Sequence, residues 1–507
     1  MSLHGHLYTI LEPSIKLDEM KIPNAGEKDT GDGLSDQTGG IQPYIRINDY
    51  PFGRNDVFSL ILDLNGKYPE LTATLLDSQD FFTVDRFPRD GDLLNLRIQL
   101  DKAGTYKDIR MDFTILEFEG QPTSSLEKSS GEATYNVRAV AKIPGMYTDE
   151  CKSYGEGTSI DHIKAIAKDL KLGVATNVTA SADKMRRFCA YQTKLEMLSS
   201  TVSYSYIDDA SFQTYSIDPY YYINYANIQS LLNAKEDVEI HEMISNKSFD
   251  ERGEDSKEGA GKNEVELLLT NHHSASGKNT SIGRYNLINN ATQIALVNGY
   301  KRKMQYLDYS GDTTMDLIEF DVEAMTGDNI KDNEEPLKGR RNSEVDEYNT
   351  HIKQKYVGIQ SDAVHENYKF AGINNIQNMV ELDKMFLEVE LEGLNPAVYR
   401  YMKVPVAIYN YGKTNAVATK EINKQKRDGE FEVAADKIEG TNKTQDEKEI
   451  EDTTFTLDEF LSAHYIILGI KYVYSESFGF SQVLKLGRRE WPVRLNNIWY
   501  IHNGKQY

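Results

Sequence analysis

Histidines that are close together in the sequence are the most obvious candidates for binding a metal. His272-His273 is an adjacent pair, and His241 is followed directly by Glu242. Neighbouring residues on a strand point to opposite faces, so an adjacent pair rarely binds one ion. We interpret His272 and His273 as part of a solvated loop. His241-Glu242 lacks the second histidine of a zinc-protease motif and predicts no site.

Two further metal candidates lie near the N-terminus. His4 and His6 are close in sequence, but a mobile N-terminus explains them better than a fixed site. Asp29, Asp32 and Asp36 stand in a glycine-rich stretch that could suggest calcium. Because the closing glutamate of an EF-hand loop is missing, we interpret this stretch as a flexible acidic loop.

The remaining candidates for chemistry are carboxylates, nucleophile motifs and an aromatic platform. With 79 Asp and Glu residues, some pair will stand at glycosidase spacing by chance. We find neither a Gly-x-Ser-x-Gly elbow nor a glycine-rich loop ending in Gly-Lys-Ser/Thr. Tyr220-Tyr221-Tyr222 could form a sugar platform, but alternate strand residues face opposite sides, which favours packing and interface contacts. We therefore predict no catalytic, cofactor-binding or metal-binding residues, and no enzyme.

Composition argues against several kinds of partner. The chain has 507 residues and a formal net charge of −22, which argues against nucleic-acid binding and against docking on anionic lipid. We recognise no signal peptide and no apolar stretch long enough to span a membrane, so we expect no membrane insertion. Cys151 and Cys189 share no metal-ligand spacing. One disulfide is an alternative, but we favour reduced thiols.

Alternation of apolar and polar residues predicts an antiparallel β domain over residues 1–149. A tight turn at Pro88-Arg-Asp-Gly-Asp leads into one of its strands. Several such strands separated by turns indicate a closed or nearly closed barrel. The Gly- and Asp-rich segment 20–41 is predicted to be a mobile arm. Further strands are predicted at Ile41–Ile47, Val57–Leu64, Leu71–Leu75, Ile109–Ile115 and Tyr135–Ile143.

The pattern changes at about residue 150, and a small α+β domain is predicted over 150–235. Thr158 and Asp161 fit a capping box, and Gly173 is the expected left-handed residue at the helix end. The apolar face of this helix comprises Ile160, Ile163, Ile166 and Leu170. The other elements expected here are a helix at Leu195–Val202 and strands joined by turns over 204–225.

Beyond residue 235 the sequence alternates charged loops with strands. Residues 236–374 are predicted to be a mixed α/β region, with charged loops at 246–263 and 326–346. A second β-barrel is predicted within 375–507. The stretch 412–453 is too polar to pack, so we expect an exposed insertion there. The strands of the second barrel are expected at Met385–Leu391, His464–Tyr474 and Phe480–Arg488.

Two parts of the chain share one plan: strand, connection, long strand, turn, strand. The first runs from Gly91 to Ile143, and the second from Met402 to Leu486. Any two antiparallel β segments could look this similar, but we favour an internal duplication. The predicted fold class is mainly β with α+β: two similar antiparallel β-barrel domains, a small α+β domain and long polar insertions.

Several segments, taken in order, resemble one protein family. They are Pro88-Arg-Asp-Gly-Asp before a strand, the helix entry 154–170, the helix start 192–198, the segment 216–225, and the C-terminal pair 469–474 and 480–491. In this order they resemble the baseplate hub, or tail hub, family of contractile-tailed phages, which includes the hub part of type VI secretion spike proteins. The long insertions depart from the compact plan of that family.

The resemblance implies a structural protein and a homotrimer. Each subunit would contribute two barrels, so that three subunits form a pseudo-sixfold ring that joins a sixfold tail tube to a threefold central spike. Baseplate wedge and tape measure proteins would be further partners. The chain would be a late protein that acts in genome ejection, assembled in the host cytoplasm and located in the tail baseplate of the virion.

One alternative function stays open at this point. Phage tails often carry lysozyme-like domains, so the chain could be a cell-wall-degrading or carbohydrate-binding tail component. The long helical lobe and the catalytic glutamate region of such a domain are not evident in the sequence. Oligomeric mass and lysis of peptidoglycan would separate the two functions.

Overall fold

The structure is a computed structural model of the full chain. The described residues are 7–17, 41, 43–48, 50–52, 56–77, 82, 89, 91–100, 106–122, 133–234, 268–271, 280–290, 293, 301–310, 314–320, 334–336, 352–360, 362–410, 456–458, 460–492, 501–502 and 505–506.

The described residues form mostly strands. The helices are α1 Ser159–Leu170, α2 Lys194–Ser203, α3 Ile228–Leu232 and α4 Tyr368–Asp383. The strands are β1 Tyr8–Leu11, β2 Pro43–Ile47, β3 Tyr50–Phe52, β4 Val57–Asp63, β5 Glu70–Asp77, β6 Leu93–Ile98, β7 Ile109–Pro122, β8 Ala133–Ala141, β9 Asp149–Gly157, β10 Gly173–Thr176, β11 Met185–Thr193, β12 Gln213–Ile217, β13 Tyr222–Asn227, β14 Leu269–Thr270, β15 Ile282–Asn289, β16 Lys301–Asp308, β17 Thr314–Phe320, β18 Glu334–Pro336, β19 Ile352–Ile359, β20 Met385–Leu391, β21 Lys403–Ala407, β22 Tyr409–Asn410, β23 Thr456–Leu457, β24 Ala463–Ser475, β25 Gly479–Gly487, β26 Glu490–Pro492, β27 Ile501–His502 and β28 Lys505–Gln506.

The chain divides into two compact units. The first comprises residues 1–235, 283–403 and 465–507, and the second comprises 236–282 and 404–464. The four domain ranges expected from the sequence stay a prediction.

The fold is mainly β, as predicted, and the first unit holds its largest sheet. The strands lie in the order β15-β20-β25-β24-β4-β5-β8-β7-β6-β2-β3. From β20 to β3 every neighbouring pair is antiparallel. Burial follows the sequence alternation, because Leu71, Ala73 and Leu75 of β5 are buried while Thr72 is exposed. The strands predicted in both β regions are therefore confirmed.

A small α+β layer follows the first β region, also as predicted. Its four-stranded sheet has the order β1-β10-β13-β12, in which β10 and β13 are parallel. Thr158 and Asp161 form the expected capping box of α1, and Ile163 and Ile166 are fully buried. A second capping box opens α2. The capping boxes satisfy the first backbone amides of α1 and α2, which explains why these two helices begin where they do.

The predicted end of α1 is wrong by two residues. Lys171, not Gly173, takes the left-handed conformation, with φ 59°, and its amide bonds to the last turn of the helix. Gly173 instead begins β10, where a Cβ would lie 2.5 Å from the Tyr222 ring and 2.9 Å from the Leu11 carbonyl oxygen. The glycine is required by this close approach and not by a helix cap.

The strand predicted from Tyr204 is also wrong at its start. Residues 204–209 form turns and bends, and the first strand of this region is β12. Side-chain carboxylates provide the acceptors that a neighbouring strand would have provided. Asp183 accepts from the Tyr206 amide at 3.0 Å, and Asp208 accepts from the Ser211 amide at 2.7 Å.

The other sheets of the first unit are small. β9 pairs with β11, β18 with β26, and β27 with β28, while β17, β16 and β19 form a three-stranded sheet. Helix α4 lies against this last sheet, where Ile373 packs with Met304, Tyr306 and Ile359.

The second unit is described by a few short segments. β14 pairs in parallel with β21, and β22 pairs with β23. The Asn271 amide group donates to the Tyr409 carbonyl oxygen at 2.9 Å and accepts from the Tyr409 amide at 2.8 Å.

Several predicted loops fall outside the described residues. These are the arm at 20–41 apart from residue 41, the charged loop at 246–263, the loop at 326–346 apart from β18, and the insertion at 412–453. Among the described residues, we find no helix with both the length and the apolar character needed to cross a membrane.

Candidate functional site

Most residues considered as metal ligands lie outside the described residues. Within the part of the chain that the structure describes, no three His, Cys, Asp or Glu side chains group closely enough to hold a metal ion. Cys151 is exposed and Cys189 is buried, and both are free thiols. The candidates outside the described residues are His4, His6, Asp29, Asp32, Asp36, His241, Glu242, His272 and His273.

The tyrosine triplet is part of the packed structure. Tyr221 and Tyr222 are only 2% and 3% exposed. Tyr220 Oη donates to the Lys107 carbonyl oxygen at 2.9 Å, and Tyr221 Oη accepts from the Asp112 amide at 2.9 Å. Burial raises the pKa of both phenols, so they stay neutral. Tyr221 therefore joins the small α+β layer to β7, Tyr220 joins it to the residue 107 backbone just before β7, and the buried rings of Tyr221 and Tyr222 are closed to a sugar.

The two β regions contain the same turn. In residues 89–92 and in residues 399–402, the amide of the fourth residue donates to the carbonyl oxygen of the first, at 3.1 Å and 3.2 Å. The third residue has a positive φ in both turns, 82° at Gly91 and 67° at Tyr401. Glycine adopts this conformation freely, whereas tyrosine is strained in it.

Each turn is hydrogen-bonded to the long strand of its own region. The Ile115 amide of β7 donates to the Asp92 carbonyl oxygen at 3.4 Å. The Ile467 amide of β24 donates to the Met402 carbonyl oxygen at 3.0 Å. In both cases the acceptor is the last residue of the turn, so the two long strands are bonded to their turns at corresponding positions.

Both long strands then carry one extra residue directly after the anchored amide. The register with the next strand shifts within 115–117 of β7 and within 467–469 of β24. The extra residue is Leu116 in the first case and Leu468 in the second. A bulge bends its strand and is typically a built feature of a fold, so its repetition supports a common plan.

The strand order repeats as well. In the first β region the neighbouring strands follow the order β5, β8, β7 and then the segment after residue 92. In the second β region they follow the order β20, β25, β24 and then residues 401–402. One strand further out, β4 lies beside β5 and β15 lies beside β20. We call these sets the first repeat and the second repeat. The shared strand order predicted from the sequence is thereby confirmed.

The two repeats are joined within the chain by β4 and the outer half of β24, a contact that we call the joint. Its register runs from Asp63 opposite Lys471 to Ser59 opposite Ser475. Asp63 and Lys471 form an ion pair at 2.9 Å, but both are about a third exposed, so the pair contributes little. The backbone ladder and the buried side chains stabilise the joint.

Arg400 holds the joint from the turn of the second repeat. Its guanidinium group donates to three carbonyl oxygens in the loop after β4: Leu64 at 2.5 Å, Gly66 at 2.6 Å and Asn65 at 2.9 Å. The same group lies over the Tyr401 ring, 5.1 Å from its centroid. A planar fork with several donors suits this arrangement, and a lysine would reproduce only part of it.

Gly469 lets the same loop approach β24. A Cβ at this position would lie 2.8 Å from Asn65 Cγ and 3.1 Å from Asn65 Cα. Next to it, the Leu64 amide donates to the Ile470 carbonyl oxygen at 2.9 Å. The corresponding residue of the first repeat is Glu117, so this close approach belongs to the joint alone.

Sequence reasoning did not identify Arg400 or Gly469. An arginine after a tyrosine and a glycine inside a strand pattern carry little information alone. The isolated glycine was the one usable signal, because such a residue often marks a bulge or a close backbone approach.

Comparisons by sequence found no relative. No protein-family model matches the chain. No curated protein matches it either.

Comparison with solved structures found neighbours with low sequence identity. A tail protein from Neisseria meningitidis MC58 has a TM-score of 0.42 and 10% identity, over 89% of this chain and 97% of that one. The 43 kDa tail protein of prophage MuSo2 from Shewanella oneidensis has a TM-score of 0.44 and 8% identity, over 89% and 98%. An E. coli component of the type VI secretion system has a TM-score of 0.38 and 9% identity, over 88% and 78%.

Proposed function

We propose that this protein is a structural tail hub: a homotrimer whose six repeats form a pseudo-sixfold ring between a sixfold tail tube and a threefold central spike. It acts in the baseplate of a contractile tail during genome ejection. Baseplate wedge and tape measure proteins are further partners. The proposal assigns the chain to the virion tail, assembled in the host cytoplasm.

The observation that carries the proposal is the internal repeat within one continuous sheet. Both repeats have the same turn, the same anchored amide and the same bulge. They are neighbours in that sheet through β4 and β24. Each chain therefore offers two similar surfaces side by side.

Two similar surfaces in each chain would let a trimer contact both a sixfold tube and a threefold spike. A trimer with one copy of a surface per chain offers three equivalent contacts, which is half of what a sixfold tube requires. A trimer with two similar surfaces per chain offers six near-equivalent contacts and remains threefold toward the spike. A duplicated sheet is a simple way for one chain to meet both symmetries.

The proposed role is not enzymatic. The alternative, a cell-wall-degrading or carbohydrate-binding tail component, needs an accessible site. Tyr220, Tyr221 and Tyr222 were the sequence candidates for a sugar platform, but the rings of Tyr221 and Tyr222 are buried and the Tyr220 hydroxyl is bonded to the backbone. In the described part of the chain, no other observation favours this alternative.

Native mass spectrometry of the purified chain, alone and mixed with the tube protein of the same particle, tests the proposal. We expect three copies of the chain, and three copies with six tube subunits in the mixture. A turbidity assay on peptidoglycan should show no clearing. A chain that stays monomeric with the tube protein, that forms a hexamer, or that clears peptidoglycan would contradict the proposal.

A further inference from the structure

Arg187 carries a buried charge that has almost no hydrogen bonds. It lies on β11 and is only 6% exposed. Its guanidinium group donates one long hydrogen bond, from Nη2 to the Thr201 carbonyl oxygen at 3.5 Å, and its Nε has no partner. Within the part of the chain that the structure describes, no carboxylate forms an ion pair with it. A buried charge without a partner is strongly destabilising, so this arginine needs a ligand.

Asp183 attracts the Arg187 charge from a distance, but its own hydrogen bonds go elsewhere. Asp183 is fully buried and belongs to the same region of the fold. Its carboxylate accepts from the Ser159 amide at 3.1 Å, the Ser181 hydroxyl at 2.6 Å and the Tyr206 amide at 3.0 Å. Because Ser159 is the first residue of α1, the positive end of the helix dipole compensates the Asp183 charge. The Arg187 charge is left without a compensating group in contact with it.

Two further buried donors without partners lie in the same region as Arg187. They are Tyr225 Oη on β13 and Gln213 Nε2 on β12. Tyr225 and Arg187 interact electrostatically, which places these two side chains near each other. Gln213 and Tyr225 share one face of their sheet, because Gln213 pairs with Asn227, two residues after Tyr225. The Ser205 hydroxyl lies near Tyr225 but donates to Gln213 Oε1 at 3.0 Å.

From these three groups we propose a buried binding site for one small inorganic anion of the size of chloride, held by Arg187, Tyr225 and Gln213. The arginine contributes its charge and an N–H donor, and the other two contribute neutral donors. All three free groups can donate, so the ligand must be an acceptor. Water can accept the same hydrogen bonds, but only an anion also compensates the arginine charge. This site goes beyond the proposed function and does not depend on it.

Burial determines which anions fit the site and when they bind. The three donor atoms are closed to solvent, so the anion is enclosed as the chain folds. A large organic anion such as gluconate cannot take its place. Because the donors come from three different strands, the unfolded chain does not form the site. A ligand that binds only the folded chain stabilises it, and the gain grows with the logarithm of the ligand concentration.

Urea unfolding of the full chain, followed by circular dichroism, tests the site with chloride as the probe. Sodium chloride is exchanged stepwise for sodium gluconate, so that ionic strength and screening stay constant. We expect the urea midpoint to rise with chloride. Above the dissociation constant, each tenfold increase in chloride should raise the folding equilibrium constant about tenfold. Equal midpoints in the two salts at every ratio would overturn the site.

Substitutions assign the chloride effect to this site. Arg187→Met removes the charge and keeps a side chain of similar length. It should abolish the response to chloride, and in gluconate it should be at least as stable as the wild type, because an apolar group replaces an uncompensated buried charge. Tyr225→Phe removes one donor and should need more chloride for the same effect. Arg186→Met is the matched control, because Arg186 is the exposed neighbour on β11.

The outcomes for the variants are distinct. A chloride response that persists in Arg187→Met, or that is lost in Arg186→Met, would overturn the assignment. The comparison of the two salts with the wild type tests the site even if Arg187→Met does not fold.

Crystals grown with bromide in place of chloride locate the ligand. We expect an anomalous peak within hydrogen-bond distance of Arg187 Nε. A water molecule at that position, with bromide absent or bound only elsewhere, would overturn the anion. Either result leaves the tail-hub proposal standing, because that proposal is tested by the number of chains in the assembly.

Discussion

Replacing Gly469 with alanine should weaken the joint between the repeats. The added Cβ would lie 2.8 Å from Asn65 Cγ and 3.1 Å from Asn65 Cα, closer than such atoms normally come. The Asn65 side chain can turn away, but its backbone is held by the Arg400 bond at 2.9 Å. Forcing a methyl group into a packed site costs about 1–3 kcal/mol, so we expect a loss of stability of that size.

Urea unfolding of the purified chain measures this loss. Fluorescence of Trp491, which is fully buried beside Tyr465, reports on the same unit as the joint. Gly66→Ala is the matched control, because it lies in the same loop and its Cβ would come no closer than 3.5 Å to Tyr68. We expect the control to change stability by less than about 0.5 kcal/mol.

Equal unfolding midpoints for wild type and Gly469→Ala would refute this reasoning. That result would mean that the loop after β4 does not approach β24 as closely as described. A loss of the same size in Gly66→Ala would show that the loop tolerates no side chain anywhere, and the close contact at Gly469 would lose its special role.

Four further predictions concern other parts of the chain. Arg400→Lys should cost about 1–3 kcal/mol in urea unfolding, because an ammonium group cannot reach all three carbonyl oxygens; an unchanged midpoint would contradict the clamp. Tyr221→Phe removes the phenol oxygen that accepts from a buried backbone amide, and a similar loss is expected in the same assay; wild-type stability would show that water replaces the phenol. Burial lowers the pKa of His162 and of His365, so the unfolded chain binds protons more readily. The contribution of these two histidines to stability is therefore fully present above the unfolded pKa of about 6.5, and it is lost as the pH falls through the lower pKa values of the folded chain. Urea midpoints across this window should drop less in a variant with glutamine at both positions. Equal drops in the variant and the wild type would contradict the assignment. The insertion at 412–453 should be the first site of limited proteolysis because of its composition; resistance in the isolated chain would show that it packs.

Helix α4 shows where sequence patterns stop being informative. No helix was predicted at 368–383, because its buried face mixes amides with apolar residues: Asn374, Asn375, Gln377 and Asn378 are buried together with Ile373 and Leu382. Asn375 donates to the carbonyl oxygens of Ser203 and Ser205 at 3.1 Å and 2.7 Å, and it accepts from the Gln213 amide at 3.0 Å. A hydrophobic period cannot reveal a face that is buried through hydrogen bonds to distant parts of the chain.

The strands and capped helices could be predicted because their causes are local. Alternation along β5 and β20, and the capping box at Thr158 and Asp161, depend on residues close in sequence. The roles of Gly173 and Gly469 depend instead on backbone that approaches from elsewhere, from Leu11 and Asn65. The plan of the duplication was visible in the sequence, but the joint that uses it was not.

Electron cryo-microscopy of the assembled tail, reconstructed with threefold symmetry only, tests the central claim most directly. We predict a ring of three chains in which the first and second repeats alternate, so that six similar surfaces face the tube. Each first repeat should superpose on the adjacent second repeat when the bulged strands β7 and β24 are aligned. A ring of six chains, a single copy on the axis, or a trimer in which only one repeat per chain faces the tube would contradict the account.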